Sequence, residues 1–164
     1  YMHLQSQVGQ GTTVTCYFPV VAAGTGAHAA APVGSGATRG TELVLVVEDE
    51  PMVRDVARAT LERQGYDVRT ANNGVEGLQT AQHLGERLAI VVTDVVMPQM
   101  GGWEMAERLR RDRPDVKILF TSGYNEEIVN AGGRVDETLD FLPKPYLPSV
   151  LSQRVRQVLD RGSS

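Results

Sequence analysis

Three apolar runs of this sequence each end in a charged group that could do chemistry. Glu48 and Asp49 follow the first run, Asp94 ends the second, and Lys144 follows the third. A charge at the end of a buried strand is costly to hold without a partner. In an open α/β sheet, ligands bind at the carboxyl ends of the strands. Acids and a lysine at one such edge indicate a site for a cation and a phosphoryl group.

The elements that must position these groups alternate between strand and helix through residues 42–161. Continuous apolar runs of five or so residues predict strands, and stretches with 3.6-residue periodicity between them predict helices. Five βα units predict an α/β fold, a doubly wound five-stranded parallel sheet with helices on both faces. The strands are predicted at 43–47, 66–70, 88–93, 116–121 and 139–142, and the helices at 51–64, 74–84, 103–112, 126–131 and 148–161.

Two helices show a clear apolar face. The first is predicted to bury Val53, Val56, Ala57, Thr60 and Leu61, and the last to bury Leu147, Leu151, Val155, Val158 and Leu159. Periodicity alone leaves the order of the strands in the sheet open.

If the first and third strands are neighbours, Glu48, Asp49 and Asp94 meet. Clustered carboxylates repel and raise one another's pKa. A divalent hard cation removes the conflict, and Mg²⁺ suits it because it takes a few oxygens and bridges to phosphate. Asp49, Asp94 and a backbone carbonyl of the following loop, that of Val96, are the expected direct ligands, with Glu48 acting through water. The alternative is a set of solvated acids at strand ends.

Asp94 is the best candidate for a nucleophile. A carboxylate can attack a phosphoryl group and form an aspartyl phosphate, provided that charge on the transferring oxygens is neutralised. Lys144 can supply positive charge from a long stem, and Ser122 can donate a hydroxyl. None of the three histidines stands where an internal phosphodonor would, so the phosphoryl group must come from elsewhere.

These motifs resemble the receiver domain of two-component signalling. The matching segments are 46–50, 93–102, 120–123 and 141–145, in the family's order and spacing. The resemblance implies the flavodoxin-like (CheY-like) strand order 2-1-3-4-5.

The resemblance also assigns roles to single residues. Asp94 would accept phosphate from a phosphohistidine, Ser122 would be the switch hydroxyl, and Phe141 the aromatic switch residue. The bond between Lys144 and Pro145 would be cis. Phosphorylation would then bias the face formed by the fourth helix, fifth strand and fifth helix.

Three positions depart from the best-studied receivers. Glu48 replaces the commoner Asp, and Val96 and Tyr124 stand two residues after Asp94 and Ser122. In the family, these last two positions modulate dephosphorylation, often by steering water. An apolar and a bulky residue there predict a long-lived aspartyl phosphate.

The N-terminal residues 1–21 predict a β-hairpin, with strands at 2–6 and 12–18. The segment 4–19 resembles the last strands of a histidine-kinase ATP-binding domain. An Ala- and Gly-rich segment, 22–41, reads as a flexible linker. Kinase tail, linker and receiver are the layout of a hybrid histidine kinase, in which this part would catalyse only its own phosphorylation and dephosphorylation.

Two functions other than a hybrid-kinase receiver are compatible with an acidic residue at position 94. A stand-alone response regulator would act by protein contact and would not need residues 1–21. A phosphatase with an aspartyl nucleophile would need a second acid two residues on, where Val96 stands.

Composition narrows the partners. The 164 residues carry a net charge of -4 and no basic run, which argues against nucleic acid. No stretch is apolar enough to cross a membrane, and no signal peptide opens the chain. The single Cys16 fits a reducing, cytoplasmic compartment and is expected to pack as a small side chain. The expected partners are a histidine-kinase phosphohistidine and a histidine phosphotransfer protein.

Overall fold

The computed structural model of this chain describes residues 2–7, 9, 11–17, 40–123 and 140–161. These residues belong to two compact units, Tyr1–Gly36 and Ala37–Ser164. The helix predicted at 126–131, most of the predicted linker, and Tyr124 lie outside the described residues. In the described part of the chain, no helix is long and apolar enough to cross a membrane.

The first unit contains an antiparallel hairpin, as predicted. Strand β1 (Met2–Gln7) pairs with β2 (Gly11–Cys16) over its whole length. Gly9, in the turn, has a φ of 79°, a left-handed conformation that glycine adopts without steric cost. Cys16 is exposed, so its prediction as a packing residue is wrong. The reason is that a two-stranded sheet has no second layer of its own to cover a side chain.

The second unit is built on a parallel sheet of five strands, in the spatial order β4-β3-β5-β6-β7. This is the order 2-1-3-4-5 within the unit, which confirms the predicted fold. All five carboxyl ends lie at one edge, hereafter the carboxyl edge. The strands are β3 (Leu43–Val47), β4 (Asp67–Ala71), β5 (Leu88–Asp94), β6 (Lys117–Ser122) and β7 (Asp140–Pro143). Three of them lie one residue later than predicted.

Four described helices connect and cover the strands. Proline opens the first and the last of them, where its missing N–H is not needed. The side chain of Asn73 caps the second by accepting a hydrogen bond from the Glu76 N–H at 2.9 Å. The helices are α1 (Pro51–Arg63), α2 (Gly74–Leu84), α3 (Gly102–Asp112) and α4 (Pro148–Asp160), with a 3-10 turn at Gly85–Arg87.

The core has two layers, one on each face of the sheet. All five residues of β3 are buried. Val44 and Val46 pack with α1 and α4 on one face, and the alternate residues pack with α2 and α3 on the other. A strand covered on both faces reads as a continuous apolar run, which is why β3 and β5 could be predicted.

Two residues placed on apolar helix faces are exposed instead. Val56 is exposed because the buried stripe of α1 runs through Ala57 and Leu61, and a neighbour in sequence is turned by about 100° around the helix. Leu147 is exposed because it is the N-cap of α4 and precedes the periodic part of the helix.

Candidate functional site

The acidic pair Glu48 and Asp49 lies in the short turn between β3 and α1. The Glu48 N–H donates to the Ala71 carbonyl at 3.1 Å, which extends the pairing of β3 with β4 by one residue. As a result Glu48 is buried, while Asp49 is exposed. The turn thus presents one carboxylate inward and one to solvent.

Asp94 is the last residue of β5, the central strand, and is partly buried. The Val95 N–H donates to the Thr121 carbonyl at 3.0 Å, which continues the pairing of β5 with β6 beyond Asp94. The Gly102 N–H donates to the Val95 carbonyl at 3.0 Å, which closes the loop between Asp94 and α3. Carboxylate oxygens of Glu48, Asp49 and Asp94 all lie within 4.8 Å of one another. The structure therefore brings together the three acids singled out in the sequence.

Lys144 joins two of these acids. Its Nζ lies 2.7 Å from Glu48 Oε2 and 2.7 Å from Asp94 Oδ2. Burial raises the pKa of the Glu48 carboxyl, and the hydrogen bond from Lys144 offsets this only in part. Burial lowers the pKa of Lys144, but its hydrogen bonds to Asp94 and Glu48 outweigh that cost and leave the pKa raised. Lys144 is thus held as a cation beside Asp94.

Ser122 and Phe141 occupy the next two strands. Ser122 is buried at the end of β6, and its carbonyl accepts a hydrogen bond from the Lys144 N–H at 2.7 Å. Phe141 is partly buried in β7 and stacks on Phe120, with ring centroids 5.2 Å apart. The Lys144–Pro145 peptide bond is cis. In the sheet, β6 and β7 lie on the opposite side of β5 from β3, the strand that precedes Glu48.

Val96 lies in the loop after Asp94, with its side chain exposed. Its backbone carbonyl as a metal ligand stays a prediction. So does the effect of Tyr124, which lies outside the described residues.

Three features of the site were not found from the sequence. Arg54 of α1 donates to the backbone carbonyls of the acidic turn. Gly102 lies against the Asp94 backbone so closely that a Cβ there would overlap the Asp94 carbonyl oxygen. Trp103 stacks on Phe120 at 5.5 Å. Of these three features, only the close approach at Gly102 has a signal in the sequence, the paired glycines at 101 and 102.

The donor set at the carboxyl edge fits Mg²⁺. Three carboxylates supply hard oxygen ligands, which Mg²⁺ prefers. Mg²⁺ in proteins also keeps several bound waters, so it does not need a full set of protein ligands. Asp49 is open to solvent, and Glu48 and Asp94 already share a positive partner in Lys144. Asp49 and Asp94 are the residues that would hold the ion, with Glu48 behind them.

Comparison with known proteins places this site in a family. Residues 44–156 match the response regulator receiver domain. The chain belongs to that family. The match spans every receiver residue named above, from Glu48 to Lys144, so the acidic cluster and its lysine lie within the receiver proper.

Among curated proteins, this receiver chain is similar to the sensor kinase CckA of Brucella abortus, with 36% identity over 169 residues, 98% of this chain and 18% of that protein. It is also similar to the alkaline phosphatase synthesis transcriptional regulatory protein PhoP of Bacillus subtilis, with 34% identity over 119 residues, 73% of this chain and 49% of that protein. The chain therefore spans less than half the length of either relative.

Solved receiver structures show the same fold. The receiver domain of the hybrid histidine kinase CckA is 32% identical, with a TM-score of 0.61, covering 71% of this chain and 98% of that one. The chemotaxis protein CheY4 of Vibrio cholerae is 28% identical, with a TM-score of 0.62, covering 73% and 99%. Both likenesses support the receiver fold of the second unit.

Proposed function

We propose that Asp94 is the phosphoacceptor of this receiver and takes its phosphoryl group from a phosphohistidine in a Mg²⁺-dependent reaction. One observation carries the proposal: the Asp94 carboxylate lies at the end of the central strand, with the Lys144 ammonium 2.7 Å from it and two further carboxylates beside it. Each of these groups has a separate task in phosphoryl transfer.

In the transfer step, an Asp94 carboxylate oxygen attacks phosphorus while the P–N bond to the donor imidazole breaks. The electron pair of that bond stays on the imidazole nitrogen, and an aspartyl phosphate remains. Mg²⁺ held by Asp49 and Asp94 would supply charge neutralisation at the phosphoryl oxygens. Lys144 adds a second positive charge, and the Ser122 hydroxyl donates a hydrogen bond to the new phosphoryl group.

The switch that follows uses Ser122 and Phe141. Movement of Ser122 toward the phosphoryl group lets Phe141, partly buried and stacked on Phe120, turn inward. This biases the face made by β7, α4 and the helix predicted at 126–131. That face is the output surface of the domain.

We place this receiver in a hybrid histidine kinase. The similarity to the Brucella abortus sensor kinase supports this context, since it extends over 98% of the chain and so includes most of the hairpin. The hairpin is then the end of an ATP-binding domain. The donor is a phosphohistidine of the same or a partner kinase, with a histidine phosphotransfer protein as a further partner. The exposed free Cys16 suits the reducing cytoplasm.

Incubation with Mg²⁺ and acetyl phosphate, followed by intact mass measurement, tests the acceptor. A single added phosphoryl group is expected in the wild-type protein and none in Asp94→Asn. Asp55→Asn serves as the matched control, because Asp55 is an exposed acid of α1 whose ion-pair partner is Arg58. Its labelling should equal that of wild type. Labelling of Asp94→Asn, or no adduct in wild type, would contradict the proposal.

A further inference from the structure

Arg54 reaches from α1 back to the acidic turn. Its Nη1 donates to the Glu48 carbonyl at 2.6 Å and to the Asp49 carbonyl at 3.3 Å. The same guanidinium nitrogen therefore bonds to the backbone of both Glu48 and Asp49, two of the three acids in the cluster. Arg54 is partly buried, so its side chain is held against the protein.

This contact is directed at backbone, not at carboxylates. Among the ion pairs of the described residues, Glu48 and Asp94 pair with Lys144, and none joins Arg54 to an acid. Arg54 therefore brings a positive charge close to three clustered carboxylates without occupying an oxygen that a cation would need. Hydrogen bonds from a charged donor are about twice as strong as neutral ones.

The turn needs such a support. Glu48 and Asp49 lie after the last residue of β3 and before the first residue of α1, so neither the strand ladder nor the helix fixes both carbonyls. Repulsion between like charges in the cluster favours their separation, and the turn is the part of the chain whose movement would separate them. A donor from the first turn of α1 opposes that movement.

We propose that Arg54 is a positioning residue, which fixes the Glu48–Asp49 backbone so that the carboxylates are arranged for Mg²⁺ before the ion arrives. The proposal rests on the magnesium site of the proposed function and adds a residue that acts through the turn. Groups that orient metal ligands typically contribute about 10–100-fold to metal affinity.

Titration of Mg²⁺ alone into the full chain, followed by calorimetry, measures the effect. Arg54→Ala should weaken Mg²⁺ binding about tenfold. Arg58→Ala is the matched control, because Arg58 lies one turn further along α1 and pairs with Asp55 at 3.6 Å. It should bind Mg²⁺ as wild type does. Arg54→Lys keeps the charge on a single point donor and should fall between wild type and alanine.

A second measurement separates positioning from catalysis. With acetyl phosphate as donor, Arg54→Ala should raise the Mg²⁺ concentration that gives half-maximal labelling of Asp94 by about tenfold. The labelling rate at saturating Mg²⁺ should stay close to that of wild type, since excess ion restores the occupied site. A general loss of structure would lower the saturated rate instead.

The outcomes are distinct. Wild-type Mg²⁺ affinity in Arg54→Ala overturns the inference and leaves the phosphoacceptor proposal standing. If Arg54→Ala does not fold, the lysine variant decides, and wild-type affinity in that variant overturns the inference. Failure of the wild-type chain itself to bind Mg²⁺ or to be labelled would instead overturn the proposed function.

Discussion

At the scale of single residues, the surroundings shift the pKa values of two glutamates, Glu48 and Glu42, in opposite directions. Burial raises the pKa of Glu48, and Lys144 offsets this only in part. Burial also raises the pKa of Glu42, but the hydrogen bond from Arg156 and the bonds to backbone outweigh it, so the pKa of Glu42 is lowered. The ionised form of Glu48 thus destabilises the fold, and that of Glu42 stabilises it.

Glutamine variants at these two sites should therefore change stability with opposite signs. At neutral pH, Glu48→Gln should raise the free energy of unfolding, and Glu42→Gln should lower it by about 0.5–1 kcal/mol. The Glu48 difference should shrink as pH falls through its raised pKa toward 4.5. The Glu42 difference should persist down to 4.5 and vanish below it. Urea unfolding from pH 7 to pH 3 measures both, and equal signs would contradict the assignment.

The acids and Lys144 of the site could be found from sequence because each directly follows an apolar run that had to be a strand. Arg54 could not, because its contact is with backbone carbonyls and no residue type at those positions reveals it. The exposure of Val56 was missed because periodicity gives the centre of a helix face but not its width.

At the scale of secondary-structure elements, the close approach of α3 to β5 fixes the acceptor. Gly102 opens α3, and a Cβ on it would overlap the Asp94 carbonyl oxygen and lie 2.5 Å from Thr93 Oγ1. The first of these is backbone at the end of the central strand and cannot move aside without displacing Asp94. The start of α3 thus fits the acceptor strand only because its first residue has no side chain.

Gly102→Ala should therefore destabilise the receiver by about 3 kcal/mol and reduce labelling of Asp94 by acetyl phosphate. Gly85→Ala is the control: it has a φ of 56° but open space around its Cβ. Its φ of 56° and ψ of -143° lie in a region that glycine adopts far more readily than alanine, so the variant should cost about 1–3 kcal/mol from backbone strain alone and leave labelling unchanged. Thermal unfolding and intact mass measurement check both variants. Wild-type labelling of Gly102→Ala would mean that the overlap at Gly102 is relieved by movement elsewhere and does not displace Asp94.

A second relation between elements is the aromatic stack across α3, β6 and β7. Trp103 stacks on Phe120 at 5.5 Å, and Phe120 stacks on Phe141 at 5.2 Å. A rotation of the Phe141 side chain would therefore break its stacking contact with Phe120. Because Trp103 is the only tryptophan in the chain, its emission reports on this stack without interference.

Phosphorylation of Asp94 should accordingly change the intensity or wavelength of Trp103 emission. The change should be lost in Asp94→Asn and strongly reduced in Phe141→Leu, which cannot form the stack but fills much of the same volume. Fluorescence before and after addition of acetyl phosphate and Mg²⁺ measures it. A full response in Phe141→Leu would show that the signal reaches Trp103 by another route, such as the Asp94 loop.

At the scale of the whole molecule, the core of the second unit is self-contained. The buried apolar residues of the described chain all lie between Leu43 and Leu159. The unit nevertheless begins before its first strand, since the Gly40 N–H donates to the Gln64 carbonyl at 3.0 Å. Gly40 also lies so close to the ring of Tyr66 that a Cβ would overlap it. A glycine in a segment rich in glycine carries no signal of such a contact, so the sequence could not reveal it.

Two truncated chains distinguish the contribution of the hairpin to stability from that of the Gly40 contacts. A chain of residues 37–164 should unfold at the same temperature as the full chain and be labelled equally by acetyl phosphate, because it keeps every buried residue of the unit. A chain of residues 42–164 should lose about 1 kcal/mol, since it removes the Gly40 hydrogen bond and uncovers the ring of Tyr66, now only 4% exposed. Calorimetric unfolding of both chains measures the difference. If residues 42–164 were as stable as residues 37–164, Gly40 would be part of the linker. If residues 37–164 were less stable than the full chain, the hairpin would contribute to the stability of the receiver.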